Sequence, residues 1–188
     1  MTISRHAVSL DEATNRVRTD HDLLLARVEG LSEDELVAEY LTAAGPLGDF
    51  CESLHDLVAH VLMWDEINLA VLSEAAEGRA HWSLEACWET ADAGRRLNHG
   101  GVAAGRHVPP SLLLHRLLTV RDAVLDEFGR YSEHAWAQAG QAPVLADGIG
   151  GLAQRVWTVP GQPAFWHAAV HLNQLPGHPG APGSYERP

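Results

Sequence analysis

Residues 52–77 read ESLHDLVAHVLMWDEINLAVLSEAAE, and the spacing of apolar side chains in this stretch decides the fold. Leu54, Leu57, Val58, Val61, Leu62, Ile67, Leu69 and Leu72 recur at intervals that follow the turn of an α-helix. Together they cover most of the helix circumference, which places this helix inside a bundle rather than on its surface. Gly78 follows as a C-terminal stop.

The flanking segments are helical too. Ser9 and Glu12 have the spacing of a capping box. They open a helix that carries Val17, Leu24, Leu25 and Val28 and ends at Gly30. A second box, Ser32 and Glu35, starts a short helix through about Leu41, which Gly45-Pro46-Leu47-Gly48 breaks. Downstream, a helix is expected from Ser83 to about Asn98, with the glycine-rich residues 100–105 as a loop. Pro109-Pro110 suits a helix N-terminus, and Leu112, Leu113, Leu117, Val120, Val124 and Phe128 carry that helix to Arg130. Residues 132–163 read mostly as loop, with a short helical turn at residues 152–157. A final helix is expected from near Pro163 to just before Pro176. Residues 1–175 form one domain on this reading, and residues 176–188, rich in proline and glycine, a disordered tail. With no alternating strand pattern and no repeat, the expectation is an all-α protein. It is a four-helix bundle with short extra helices and a long loop before the last helix.

Composition narrows the chemistry. The 188 residues hold 13 cations and 25 carboxylates, a net charge of −12, and every cation is arginine. Without lysine there is no Schiff base, no pyridoxal-phosphate anchor and no P-loop lysine. The negative charge argues against a nucleic-acid partner, which needs a basic stripe. No apolar run approaches the ~18 residues of a membrane span, so no membrane partner is expected, and the N-terminus lacks the apolar core of a secretory signal. Cys51 and Cys87 read as buried thiols in a reduced, cytoplasmic protein. Twelve histidines are the composition's hint of chemistry.

His167-Ala168-Ala169-Val170-His171 is the sharpest motif. Side chains four apart share a helix face, about 6 Å apart at Cβ, and two such imidazoles can hold one divalent ion. The glutamate of the HExxH protease motif is absent, since Ala168 stands in its place. Gln174 falls on the same face and could orient a water or substrate. Two polar residues on a solvated face is the plain alternative, although Phe165, Trp166, Val170 and Leu172 make the helix otherwise apolar. A third ligand must come from another helix, and His60, in the middle of the 52–77 stretch, is the candidate; a core histidine bonded to a neighbour is its alternative reading. Asp56, one turn earlier, could accept the other ring N–H of His60. His55 lies about 140° around the helix and cannot share that ion. Asp65 or Glu66 could face a cavity as an acid or base.

His60 within LVAHVLMWDE, followed by HAAVHLNQ, resembles the DinB/YfiT-like superfamily of metal-binding four-helix bundles. The superfamily pattern is a histidine in the second main helix, then HxxxH with a glutamine three residues on, and His60, His167, His171 and Gln174 match it. The surroundings are also similar to the N-terminal domains of mycothiol-dependent maleylpyruvate isomerases. There the first ligand of the last-helix pair is commonly glutamate, where this chain has His167, and a tryptophan precedes the second helix, where this chain has Phe50-Cys51. The resemblance implies a three-histidine divalent site with an open position, suited to zinc and also to nickel or iron. It implies either the thiolate of mycothiol or bacillithiol added to an electrophilic small molecule, or water opening a strained ring in self-protection.

Four readings stand beside one another. The first is a small-thiol S-transferase with mycothiol as co-substrate; the second is a hydrolase or natural-product self-resistance protein that uses water. The third is a bundle that binds a small molecule without turnover, and the fourth has no metal at all. In the enzymatic readings Gln174 and Asp56 support the ligands, and Arg96 or Arg95 stabilises negative charge on the substrate. Trp64, Trp82, Trp88 and Trp166 would line an apolar pocket. The sequence leaves the oligomeric state open, although an apolar bundle of this size often pairs as a homodimer.

Overall fold

The computed structural model of the chain describes residues 8–40, 46–140 and 143–175. These residues form nine α-helices in the order α1 (Leu10–Val28), α2 (Glu33–Val37), α3 (Pro46–Phe50), α4 (Leu54–Ala76), α5 (Ala91–Gly105), α6 (Pro110–Gly129), α7 (Glu133–Ala137), α8 (Gly148–Val156) and α9 (His167–Leu172), with two single 3-10 turns, Trp82–Leu84 and Pro143–Leu145. No strand occurs among them. The long helices α1, α4, α5 and α6 make an all-α bundle, with α4 at its centre against α5, α6, α8 and α9. No helix of the described residues is long and apolar enough to cross a membrane. The expected tail, residues 176–188, lies outside the described residues.

Local chemistry sets the ends of these helices. Ser32 completes the expected box with Glu35, each accepting from the other's backbone. Ser9 accepts from the Glu12 amide at 3.2 Å, but Glu12 turns to Arg16 instead of closing the box. Glu133 of α7 takes the Leu10 and Asp11 amides in its place, both at 3.1 Å. Ser53 caps α4 through the Asp56 amide, and Gly30 and Gly78 terminate α1 and α4 at positive φ, where a side chain is disfavoured.

Three expectations about segments are corrected. The helix expected from Ser83 begins only at Ala91 and runs through the glycines to Gly105. Glycine does not break it, because α5 presses these residues against α4. A Cβ on Gly101 would stand 2.1 Å from Met63 Sδ, and one on Gly105 would stand 2.3 Å from the Ala59 Cβ. The missing side chains are what allow the two helices to approach. Gly105→Ala should therefore cost about 1–3 kcal/mol through overpacking, whereas Gly94→Ala, with open space at the Cβ, should gain roughly 0.5–1 kcal/mol of helix stability. Urea unfolding of the two variants checks this, and equal effects would contradict close packing as the role of Gly105.

The segment 132–163 carries α7 and α8, more helix than expected. Here Trp136 is the organiser, since Gly150 lies against its indole and Trp136 Nε1 donates to the Val8 carbonyl at 2.9 Å. The last helix is shorter than expected. It starts at His167 because Phe165 takes a positive φ of 65° and donates its amide to the Trp157 carbonyl. Cys51 is buried as expected, but Cys87 is exposed, because it sits after the Trp82–Leu84 turn and outside any long helix.

Two apolar clusters fill the bundle. One gathers Leu24, Val28, Leu57, Val61, Leu62, Leu113 and Leu117. The other gathers Val17, Val71, Leu72, Val124, Phe128, Trp136 and Trp157. Along α1 the buried sequence passes from Ala13 and Val17, through Asp20 and His21, to Leu24 and Val28. Along α4 it passes from Leu57 through His60, Asp65 and Asn68 to Val71. A buried polar layer thus separates the two clusters, and the histidines lie in it.

Candidate metal centre

His60 enters the polar layer from α4, and His167 and His171 enter from the two ends of the short helix α9. Their relative exposures are 2%, 8% and 2%. His60 Nε2 lies 3.0 Å from His167 Nε2 and 3.1 Å from His171 Nε2. The ring centroids are 4.8, 4.9 and 5.0 Å apart, nearly an equilateral triangle. Because the nitrogens of His60 and its two partners are much closer than the ring centres, the rings converge tip-first. Among the described residues these three form the cluster able to hold a metal ion, with ligand atoms within 4.8 Å of one another.

Hydrogen bonding among the rings does not satisfy this arrangement. A neutral imidazole has one N–H and one lone pair, so His60 Nε2 can serve one of its two neighbours well and not both. Nδ1 of His60 is also buried without a partner. Three convergent lone pairs are what a divalent cation satisfies. A tetrahedral zinc with bonds of about 2.0–2.1 Å holds its nitrogens about 3.3 Å apart, within a few tenths of an ångström of the two spacings made by His60. The donor set fits zinc, and it fits nickel or iron by ligand type.

The environment keeps the rings neutral, the form that can ligate. Burial lowers His167 and His60 well below the ordinary histidine value, and neighbouring histidine charge adds to the effect. Burial takes His171 down to about 4, partly offset by Gln174. Such groups bind protons more readily in the unfolded chain, so their contribution to stability is complete above about pH 6.5 and is lost as pH falls toward 4. For His171 alone the window corresponds to roughly 3 kcal/mol. Asp20 and His21, both raised, act in the opposite sense. In the metal-free protein the unfolding free energy of wild type should fall more steeply between pH 6.5 and 4.5 than that of His171→Gln. Parallel slopes in urea titrations would contradict this.

The remaining expected site residues are placed as follows. Gln174 lies beside His171, and a hydrogen bond from its buried side chain favours the charged ring. Asp56 does not serve His60. Its carboxylate accepts from Arg106 at 2.7 and 3.0 Å and from the Glu52 amide at 2.9 Å, because its own turn of α4 faces the end of α5. Arg96 is an exposed residue of α5 paired with Asp92. It borders a groove of about 590 Å³ with Met63, Trp82 and Trp88, so it is not brought together with the histidines. Arg95 pairs with Asp49. His55 Nε2 donates to the Val108 carbonyl at 3.0 Å, apart from the cluster. Phe50 covers the site, with its ring 4.7 Å from His60 and 6.4 Å from His171.

The sequence reading missed Asp20 and His21 and left Asp65 undecided. Asp65 is buried. His21 Nε2 lies 2.8 Å from Asp65 Oδ2, and Trp157 Nε1 donates to Asp65 Oδ1 at 3.0 Å. Burial alone would lower His21, but the hydrogen bond and charge of Asp65 raise it above its ordinary value. The signal was present: Asp20-His21 falls where the apolar stripe through Val17, Leu24 and Val28 expects hydrophobic residues.

Fold and site together define an all-α four-helix bundle with a buried cluster of three histidines in its polar layer. No protein-family model and no curated protein matches the sequence. Among solved structures, the fold is similar to that of the colibactin self-resistance protein ClbS in complex with double-stranded DNA. The TM-score is 0.65 at 18% identity, over 89% of this chain and 94% of that one. It is also similar to an uncharacterised protein from Escherichia coli UTI89, with a TM-score of 0.68 at 11% identity over 88% and 90% of the two chains. At these identities the likeness is one of fold.

Proposed function

We propose that the protein is a divalent-metal-dependent hydrolase of the DinB/YfiT-like kind, which uses water to open a reactive, electrophilic small molecule in self-protection. The observation that carries this reading is the convergence of the His60, His167 and His171 Nε2 atoms inside the bundle. Likeness of fold to a self-resistance protein supports the protective role. An ion held by these three nitrogens supplies Lewis acidity, which makes a nucleophile available near neutral pH.

The chain's own residues do the rest. Two rigidly packed helices hold the imidazoles neutral and convergent, so no ligand has to be reorganised or deprotonated first. Gln174, whose side chain lies beside His171, orients the attacking water by accepting a hydrogen bond from it. The water oxygen then forms a bond to the electrophilic carbon, a strained ring bond opens, and its electron pair takes the released proton. Phe50 limits bulk water around the rings.

Water is preferred to the small-thiol transfer expected first because of the likeness of fold to a self-resistance protein. The net charge of −12 and the lack of lysine keep DNA out of the proposed ligands. The test is turnover of epoxide- and cyclopropane-bearing electrophiles by zinc-loaded protein, with and without added thiol. Ring-opened hydrolysis product formed without thiol, and lost in His171→Ala, is expected. Product only when thiol is added would replace the hydrolase with a transferase, and stoichiometric binding without product would reduce it to a binder.

A further inference from the structure

Helix α9 has six residues, too few to be held by its own hydrogen bonds, and no side-chain cap starts it. Its first free amides are held from the other end of the chain. Asp20 on α1 accepts from Ala168 N at 2.8 Å through Oδ2 and from Ala169 N at 2.7 Å through Oδ1. These amides belong to the two residues directly after His167. Two hydrogen bonds to neighbouring amides fix a rotation as well as a position, and rotation of α9 is what aims both of its imidazoles.

Keeping a carboxylate there is costly. Asp20 is buried, and desolvation pushes its carboxyl up to about 7 against the lowering effect of the two amides. A leucine or valine would continue the stripe through Val17 and Leu24 at less expense to stability. Nor is Asp20 shared with its neighbours, because His21 and Trp157 both turn to Asp65.

We propose that Asp20 is the positioning residue of the three-histidine centre: it holds α9 in the register that turns His167 and His171 toward His60. The proposal rests on the metal reading and adds that affinity is set from α1, by a residue outside the ligand set.

The test compares wild type, Asp20→Ala and Asp20→Asn in three measurements. These are zinc affinity by chelator competition, the visible spectrum of the cobalt(II) form, and amide hydrogen exchange across residues 166–172 of the metal-free protein. Asp20→Ala should lose about 10- to 100-fold in zinc affinity, shift the cobalt bands, and quicken exchange at Ala168 and Ala169 while α4 stays protected. Asp20→Asn, which keeps one acceptor, should recover part of the affinity, a rescue that general destabilisation would not produce. If Asp20→Ala does not fold, Asp20→Asn carries the comparison, with several-fold weaker zinc binding expected. Zinc affinity within twofold of wild type, or unchanged exchange at α9, overturns the proposal. A wild type that takes up neither zinc nor cobalt fails the metal reading instead. Quickened α9 exchange then upholds the positioning half, and unchanged exchange overturns that as well.

Discussion

His60→Ala is expected to weaken zinc binding by at least about 100-fold and to abolish turnover. Changing a residue that only hydrogen-bonds a metal ligand commonly costs 10- to 100-fold in affinity, and on this account His60 holds the ion itself. It is the one imidazole of the cluster supplied by α4, and its Nε2 is the atom that both α9 imidazoles approach, at 3.0 and 3.1 Å. Its removal leaves a two-histidine site on a single six-residue helix. The fold should survive, because Leu57, Val58, Val61 and Leu62 keep this part of α4 buried. Chelator competition together with circular dichroism separates the two effects. A folded variant within tenfold of wild-type affinity would remove His60 from the ligand set.

Trp136→Ala should cost about 3–5 kcal/mol of stability, the range for deleting a large buried aromatic. Trp136 is 1% exposed and packs edge-on against Phe128, with centroids 5.0 Å apart. Its Nε1 gives the Val8 carbonyl a hydrogen bond at 2.9 Å. A Cβ on Gly150 would come within 2.4 Å of the same nitrogen, so α8 rests on the indole and the deletion leaves a void that α8 cannot fill. The apolar cluster of Trp136 lies on the far side of the polar layer from Leu57 and Leu62. Where the variant remains folded, zinc affinity should therefore stay within a few-fold of wild type. A loss below about 1.5 kcal/mol in urea unfolding, or a large loss of affinity, would contradict this division of roles.

The long helices were legible because their apolar positions repeat with the helical turn and their ends carry local signals, as at Ser32, Ser53, Gly30 and Gly78. What could not be read locally depended on partners distant in sequence. The glycines of α5 look like a loop until Met63 and Ala59 are placed against Gly101 and Gly105. The late start of α9 depends on a strained Phe165 and on Asp20, 148 residues before Ala168. The three histidines were chosen as candidates from spacing and from apolar surroundings, and the fold brings their Nε2 atoms together. Asp56 and Arg96 lie apart from the histidines for a shared reason. Each faces a nearby ion-pair partner, Arg106 or Asp92, and a linear sequence does not show which face of a helix meets which neighbour.

The most direct test of the account is the metal content of the protein, purified without a histidine tag and measured by mass spectrometry beside the His60→Ala/His171→Ala double variant. The account predicts close to one divalent ion per wild-type chain and none in the folded double variant. Wild type that remains metal-free after incubation with zinc, nickel and iron, or a double variant that keeps its ion, would contradict it.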